Sequence, residues 1–360
     1  MKKLRNKIDE IDNKVIELLD ERVKYIREIK QKKLKNNIPV YAPAREKKIK
    51  ERIKTHSTSG DFPVEAKLNI FNEIFAASRA LQKELTVCFL GPRATFTHQA
   101  AIRQFSEHCN YKPVTGIGMV FNEVEKGRSD YGVVPVENTT EGIVSHTLDM
   151  FTDSNCKITA ELLMEISQNL LTKEKTLEKI SKIYSHPQAF AQCRKWLDEN
   201  IPSAKIIHET STAAAAARAV KEKNAAAIAS EMAAKVHNLN IIAESIEDIR
   251  ENITRFYVIG KNIPVPSGDD KTTVMFSIKD KVGALHDMLI PFKKYSLNLT
   301  KIESRPAKTK AWQYIFFVDF EGHIENPDVK KALKELEEDC VYLKLLGSYP
   351  AASNTFGGNK

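Results

Sequence analysis

Thr86-Val87-Cys88-Phe89-Leu90-Gly91-Pro92-Arg93-Ala94-Thr95-Phe96-Thr97-His98-Gln99 is where the chain changes class. Val87–Leu90 is a short apolar run closed by Gly-Pro, which reads as a strand, and Phe96 onward opens a helix. Upstream, residues 1 to 85 show no strand alternation and carry long helical periods broken at Asn36-Asn37-Ile38-Pro39 and Ser57-Thr58-Ser59-Gly60, so three helices are expected. Downstream, short strands alternate with helical stretches: Tyr131–Pro135, Lys182–Tyr184, Lys205–His208 and Arg255–Gly260. That texture is an α/β sheet region, here over 86–262. After Asn262-Ile263-Pro264-Val265-Pro266-Ser267-Gly268-Asp269-Asp270, a linker by composition, residues 271–349 repeat a smaller order. It runs strand 272–278, helix 284–295, strand 297–304, strand 313–320, helix 327–338 and strand 341–346, a βαββαβ ferredoxin-like plait of the α+β class. Residues beyond Tyr349 read as a frayed tail.

The 360 residues are 42% apolar and 28% charged, with 14 Gly and 14 Pro, a globular and multidomain composition. No window approaches the ~18 continuous apolar residues of a membrane span, and no secretory leader is read, so the cytoplasm is the expected compartment. Five widely spaced cysteines (Cys88, Cys109, Cys156, Cys193, Cys340) form no metal spacing and are expected reduced. Net charge is +8, yet residues 1–54 hold 18 Lys/Arg against 9 Asp/Glu, an excess of nine that leaves −1 for the rest. Such a local basic face suits an anion, either nucleic acid or a small polycarboxylate.

The first helix decides between these. Leu4, Ile8, Ile11, Val15, Leu18 and Ile29 share one seam, and Arg22 lies on it, with Lys33 about 16 Å further along. In the second helix Glu46 shares the face of Ile49 and Ile53, with Arg45 beside it. In the third, Phe71, Ile74, Ser78, Leu81 and Leu85 form the stripe, flanked by Gln82. Snorkelling side chains and a buried pair such as Arg22 with Glu46 would account for each singly. Several cations with one carboxylate and one amide inside a bundle favour a dicarboxylate pocket, since an unpaired buried cation is costly.

The spacing Leu4-Arg5, Glu21-Arg22, Lys33, Tyr41-Ala42-Pro43-Ala44-Arg45-Glu46 and Ser78-x-x-x-Gln82 resembles the all-helical chorismate mutases, intertwined dimers in which an arginine of the first helix crosses into the partner's site. The resemblance implies Arg5 for the other protomer, Arg22 and Arg45 for the two carboxylates of chorismate, Lys33 and Gln82 for the breaking ether oxygen, Glu46 for the ring hydroxyl, and Ser78 lining the site. Ala42 departs from the aspartate of enteric members.

In the central region Gly91–Gln99 follows a strand and opens a helix, where backbone N–H groups can hold an anion. The segment Val134-Pro135-Val136-Glu137-Asn138-Thr139-Thr140-Glu141-Gly142 reads as a loop rich in polar groups, and Asn252-Ile253-Thr254-Arg255-Phe256 sets a hydroxyl and a guanidinium ahead of a strand. Turn and cap chemistry would also explain these loops. Gly116-Ile117-Gly118 is no dinucleotide loop, because Phe121 stands at the third glycine. With Ser185-His186-Pro187-Gln188-Ala189, Thr210–Ala215 and Ala227–Ser230, these blocks resemble prephenate dehydratase, a bilobal α/β fold with its site between the lobes. The resemblance implies Thr254 on the leaving hydroxyl and Arg255 as carboxylate partner or ion-pair member. Thr95, Glu137, Asn138, Thr139, Ser211 and Thr212 would complete the cleft. His98 and His186 are read as packing or loop residues. Prephenate and its amino analogue arogenate both stay open as substrate.

In the plait, Val282-Gly283-Ala284-Leu285 and Glu303-Ser304-Arg305-Pro306 resemble the paired motifs of the phenylalanine-binding ACT domain, implying an allosteric site at Gly283, Ala284, Leu285, Glu303, Ser304 and Arg305. The three resemblances together imply an isomerase and a lyase of phenylalanine biosynthesis, with feedback by the end product. They also imply a homodimer or tetramer, no metal or organic cofactor, and no nucleic-acid or membrane partner. A sensor protein without catalysis, or a chain in which only one activity survives, are the competing readings.

Overall fold

The structure is a computed structural model describing residues 1–56, 62–278, 282–306 and 314–352. The expected break at Ser57–Gly60, residue 313 of the expected strand, and the tail from residue 353 lie outside the described residues. Two compact units are resolved: Met1–Leu85 with Phe105–Asn110, and Thr86–Gln104 with Tyr111–Lys360.

The first unit is helical: α1 Lys2–Lys35, α2 Pro43–His56 and α3 Val64–Gln82. Lys32, Lys33 and Lys35 crowd the last turn of α1, where cations complement the helix dipole. Pro43 opens α2 at a position that needs no N–H. The seam expected along α1 is largely uncovered among the described residues. Leu4, Ile8, Ile11, Val15 and Leu18 are 49–63% exposed, and Ile26 is the one buried residue of this helix. On α3 the buried face runs through Leu68, Phe75, Ser78, Arg79 and Gln82 rather than through Leu81, which is 44% exposed.

The second unit holds two lobes and the plait. The first lobe's sheet has the order β2-β1-β3-β11-β5, with β4 paired to β3. Its strands are β1 Thr86–Leu90, β2 Asn110–Val114, β3 Tyr131–Asn138, β4 Gly142–Ile143, β5 Lys157–Glu165 and β11 Ile253–Gly260, and its helices are α4 Phe96–Phe105, α5 Ile117–Glu125 and α6 Ser145–Asp153. The second lobe's sheet runs β10-β6-β9-β7-β8. It comprises β6 Asn169–Thr172, β7 Lys182–Ser185, β8 Lys205–His208, β9 Ala225–Ala229 and β10 Asn240–Ala243, with helices α7 Pro187–Gln192, α8 Arg194–Asn200, α9 Thr212–Ala219 and α10 Glu231–His237. The chain crosses between lobes twice, after β5 and before β11, so β11 returns to sit between β3 and β5. Alanines at 213, 215, 216 and 219 of α9 pack on Ala225, Ala227 and Ala229 of β9, small side chains that bring helix and strand close.

The plait consists of β12 Asp270–Ile278, α11 Ala284–Lys294, β13 Leu299–Pro306, β14 Tyr314–Glu321, α12 Pro327–Asp339 and β15 Cys340–Pro350, in the sheet order β13-β14-β12-β15. Its helices cover Phe276, Phe316, Val318 and Phe320 on one face. The other face, through Met275, Phe317, Leu346 and Tyr349, shares an apolar cluster with Ile158, Tyr257 and Ile259 of the first lobe. A Cβ on Gly347 would meet the Ile158 carbonyl oxygen at 2.3 Å, so this junction needs a glycine. The expected linker is ordered at its end: the Asp270 carboxylate accepts from the Ser267 and Gly268 N–H groups at 2.8 and 2.9 Å. The start of the expected tail is tied down too, Ala351 N to Asp269 O at 3.0 Å and Ala352 N to Glu161 Oε1 at 2.9 Å.

Candidate active sites

In the helical unit, Arg22 of α1 donates to Ser78 Oγ, and Ser78 donates to the Ile74 carbonyl one turn back on α3. Gln82 Nε2 donates to Ser78 O at 2.9 Å, while its Oε1 is buried with no partner. Lys33 Nζ donates to Val40 O at 2.7 Å, leaving two N–H donors unassigned. Burial pushes the Lys33 ammonium down, opposed by the nearby Glu46 carboxylate; burial and then the neighbouring Arg45 push the Arg22 guanidinium down. Cations crowded like this are stabilised by an anion between them. Arg5, exposed on α1, stands apart, about 26 Å from Arg22 along the helix.

Glu46 is paired with Arg79, not Arg22. Arg79 Nη2 also donates to Phe105 O at 3.0 Å, and its guanidinium lies over the rings of Tyr41 and Phe105 at 5.7 and 5.9 Å. Sequence reading missed Arg79 because the stripe was drawn through apolar residues. The available signal was the helical spacing of Arg79 with Leu68, Phe75 and Gln82.

In the second unit the group around Thr254 is assembled where β3 ends and β11 begins. Strand β3 continues to Asn138, beyond the expected end at Pro135, and Asn138 pairs with Thr254 across the ladder. Asn138 Nδ2 donates to Thr254 Oγ1 at 2.8 Å and to Asn252 Oδ1 at 2.6 Å. Asn138 Oδ1 accepts from the N–H groups of Thr140 and Glu141 at 2.9 and 3.0 Å, shaping the turn. Thr139 Oγ1 donates to Glu251 O at 2.7 Å and accepts from Ile253 N at 3.0 Å. From the second lobe Gln192 donates to Glu141 at 3.1 Å and accepts from Asn252 at 3.4 Å. Neither Gln192 nor Asn252 had been singled out as a site residue.

Other expected site residues are placed differently. Glu137 pairs with Arg255 in register and so lies on the opposite face of the sheet from Asn138 and Thr254; it is ion-paired with Lys301 of the plait. Reading 134–142 as a loop had hidden this alternation. Arg255 is the ion-pair member of its two expected roles. It is 7% exposed and bonds Glu161 at 2.6 Å, Asp319 at 2.6 Å and Tyr349 at 3.2 Å. Burial alone would lower its guanidinium, but Tyr257, Asp319, Tyr349 and Glu161 hold it well above its usual value. Thr95 Oγ1 is occupied with Leu90 O and Pro92 O at 3.2 and 3.0 Å. Ser211 caps α9, accepting from Ala214 N at 3.0 Å, and Thr212 is the first residue of that helix. His98 stacks on Phe89 at 4.4 Å and accepts from Ala94 N at 3.1 Å. His186 caps α7.

In the plait, β12 and β13 are both antiparallel to β14, so they run the same way and their C-terminal ends share one end of the sheet. That brings the Gly283–Leu285 turn and Glu303–Arg305 to the same end. Gly283 has φ +79, the left-handed region that favours glycine, and precedes α11. Arg305 Nη1 donates to Ser145 Oγ at 2.6 Å and Nη2 meets Asp149 at 3.5 Å.

Against known proteins, the chorismate mutase type II family matches residues 4–83, prephenate dehydratase residues 87–264 and the ACT domain residues 272–338. The bifunctional chorismate mutase/prephenate dehydratase of Aquifex aeolicus is 49% identical over 355 residues, covering 98% of each chain. The chain belongs to the bifunctional chorismate mutase/prephenate dehydratase family. The Pseudomonas aeruginosa bifunctional chorismate mutase/prephenate dehydratase is 42% identical over 358 residues, again 98% of each chain. A crystal structure of prephenate dehydratase from Arthrobacter aurescens in complex with L-Phe is 34% identical with a TM-score of 0.68, covering 74% of this chain and 90% of that one. The three resemblances read from the motifs, and the mutase/dehydratase activities they implied, are thereby borne out. Among the described residues no helix is long and apolar enough to cross a membrane.

Proposed function

We propose that this chorismate mutase/prephenate dehydratase divides its work among the residues as follows. Chorismate binds in the helical unit with its carboxylates on Arg22 and Arg45. One C–O bond breaks as one C–C bond forms, with no acid, base or nucleophile, so the pocket acts by holding the reactive conformer and aiming donors at the ether oxygen. Lys33 and the second N–H of Gln82 are those donors, Ser78 holds Arg22 in place, and Glu46, fixed by Arg79, takes the ring hydroxyl. Arg5 of the partner subunit completes the site. The exposed apolar stripe of α1 supports this, since a second copy of α1 would cover it.

Prephenate then loses carbon dioxide and water beside Thr254. Electrons of the breaking ring–carboxylate bond enter the ring and expel the hydroxyl, which leaves as water on taking a proton, and aromatisation drives the step. Thr254 Oγ accepts from Asn138, so its own O–H is free to donate to the departing hydroxyl. Thr139, bonded to Glu251 and Ile253 beside Thr254, borders this site, and phenylpyruvate is the product. Phenylalanine binds at Gly283–Leu285 and Glu303–Arg305 and depresses the dehydratase. The protein works as a homodimer in the cytoplasm.

The observation that carries this reading is the 49% identity along 98% of the chain, with all three regions in order. A time course of the purified protein with chorismate tests it. Phenylpyruvate should appear without added enzyme or cofactor, be suppressed by phenylalanine, and be lost on Thr254→Val while prephenate accumulates. Untouched chorismate, with added prephenate also inert, would refute it.

A further inference from the structure

Strand β13 has two faces with different neighbours. Thr300, Ile302 and Ser304 are exposed, whereas Lys301, Glu303 and Arg305 are partly buried, the period of two that strand geometry imposes. The inner row ends on the dehydratase lobe at two points. Lys301 pairs with Glu137 on β3, and Arg305 reaches Ser145 and Asp149 of α6. Between these anchors the chain carries Asn138 and the β3–β4 turn. A hollow of about 490 Å³ here is lined by Glu137, Arg255, Lys271, Lys301 and Glu303 among others. Burial pushes the Lys301 ammonium down against the pull of Asp319 and Glu303, so the lysine is enclosed among carboxylates and not loose on the surface.

Glu137 sits one peptide unit from Asn138 and, by strand alternation, on the other face of the sheet from Thr254. Fixing Glu137 nonetheless fixes the backbone that aims the Asn138 amide at Thr254. Lys301 is also three residues, about 10 Å of strand, from Ser304 at the phenylalanine end of β13.

We propose that the Lys301–Glu137 ion pair couples the plait to the dehydratase: Lys301 is a positioning residue that sets Asn138 against Thr254, and phenylalanine at the end of β13 depresses turnover by disturbing that contact. This rests on the placing of the dehydratase and phenylalanine sites above.

The test uses the full chain with Lys301→Met, Lys301→Arg, Glu137→Gln and the double variant Lys301→Met/Glu137→Gln. Dehydratase kcat and KM on prephenate, half-inhibition by phenylalanine and phenylalanine binding by calorimetry are measured, with mutase turnover reporting that the chain is folded. Lys301→Met and Glu137→Gln should each lower kcat at nearly unchanged KM and raise the half-inhibiting concentration by roughly fivefold or more, with phenylalanine still bound. The double variant should be no worse than either single one, and Lys301→Arg should behave as wild type. Wild-type kcat and inhibition in both single variants, losses that add in the double variant, or lost turnover with unshifted inhibition would each overturn the coupling. Should Lys301→Met fail to fold, the nearly isosteric Glu137→Gln carries the same outcomes. Full dehydratase activity in Asn138→Ala and Thr254→Val would instead refute the placing of the site, which keeps the two failures apart.

Discussion

His98, read from the sequence as a packing residue, is held in the structure by a ring contact and a backbone hydrogen bond. Its ring is stacked on Phe89, its Nδ1 accepts from Ala94 N, and its Nε2 is buried without a partner. Burial, and then the charge of Arg93, push its pKa down to about 4. The unfolded chain takes up a proton near pH 6.5 and the folded one near 4, so stability falls as pH drops through that window. The shift corresponds to about 3 kcal/mol. His98→Asn keeps an acceptor for Ala94 N but cannot charge. Urea midpoints at pH 7 and pH 4.5 should therefore differ less in the variant, and an equal acid loss in both proteins would rule the assignment out. Thr254 and Asn138 are singled out in sequence because a motif carries them, and the structure bonds one to the other. The partners of Glu46 and Glu137 are not singled out, since Arg79 and Lys301 are separated from them by 33 and 164 positions, and only the folded chain brings them near.

At the scale of elements, period and punctuation recovered what they physically report. The three helices were readable from their helical period, and the plait from the order of its short apolar runs and helical stretches. Strands β5 and β6 were missed: β5 is buried on both faces over much of its length and β6 throughout, so neither alternates. The alanine strand β9 has little strand propensity and is held by packing. Helix α1 is the reverse case, a legible apolar seam that nothing among the described residues covers. Burying such a side chain in a partner contributes roughly 1.5–3 kcal/mol. Leu18→Lys, at a position 63% exposed in the single chain, should cost the protomer little. Sedimentation equilibrium should show the mass halved, with mutase turnover lost for want of Arg5 from the partner and dehydratase turnover retained. A variant that stays dimeric and keeps its mutase rate would contradict the covered-seam reading.

The whole molecule separates its charge along the chain. Residues 1–54 carry the excess of nine positive charges, while the remainder is at −1. Both substrates are dianions, so a long-range field should draw chorismate to the helical unit and give prephenate little help on its way to the dehydratase. At about 0.01 M salt the screening length is roughly 30 Å, longer than the site is wide, and near 1 M it is about 3 Å. Raising the salt should thus remove steering at the mutase, lowering its kcat/KM severalfold, mostly through KM, because the donors that stabilise the transition state act at contact distance. The dehydratase, assayed with supplied prephenate in the same buffer series, should change less. Equal salt slopes for the two activities would mean that local ion pairs at each site, and not the basic first unit as a whole, set the electrostatics of substrate capture.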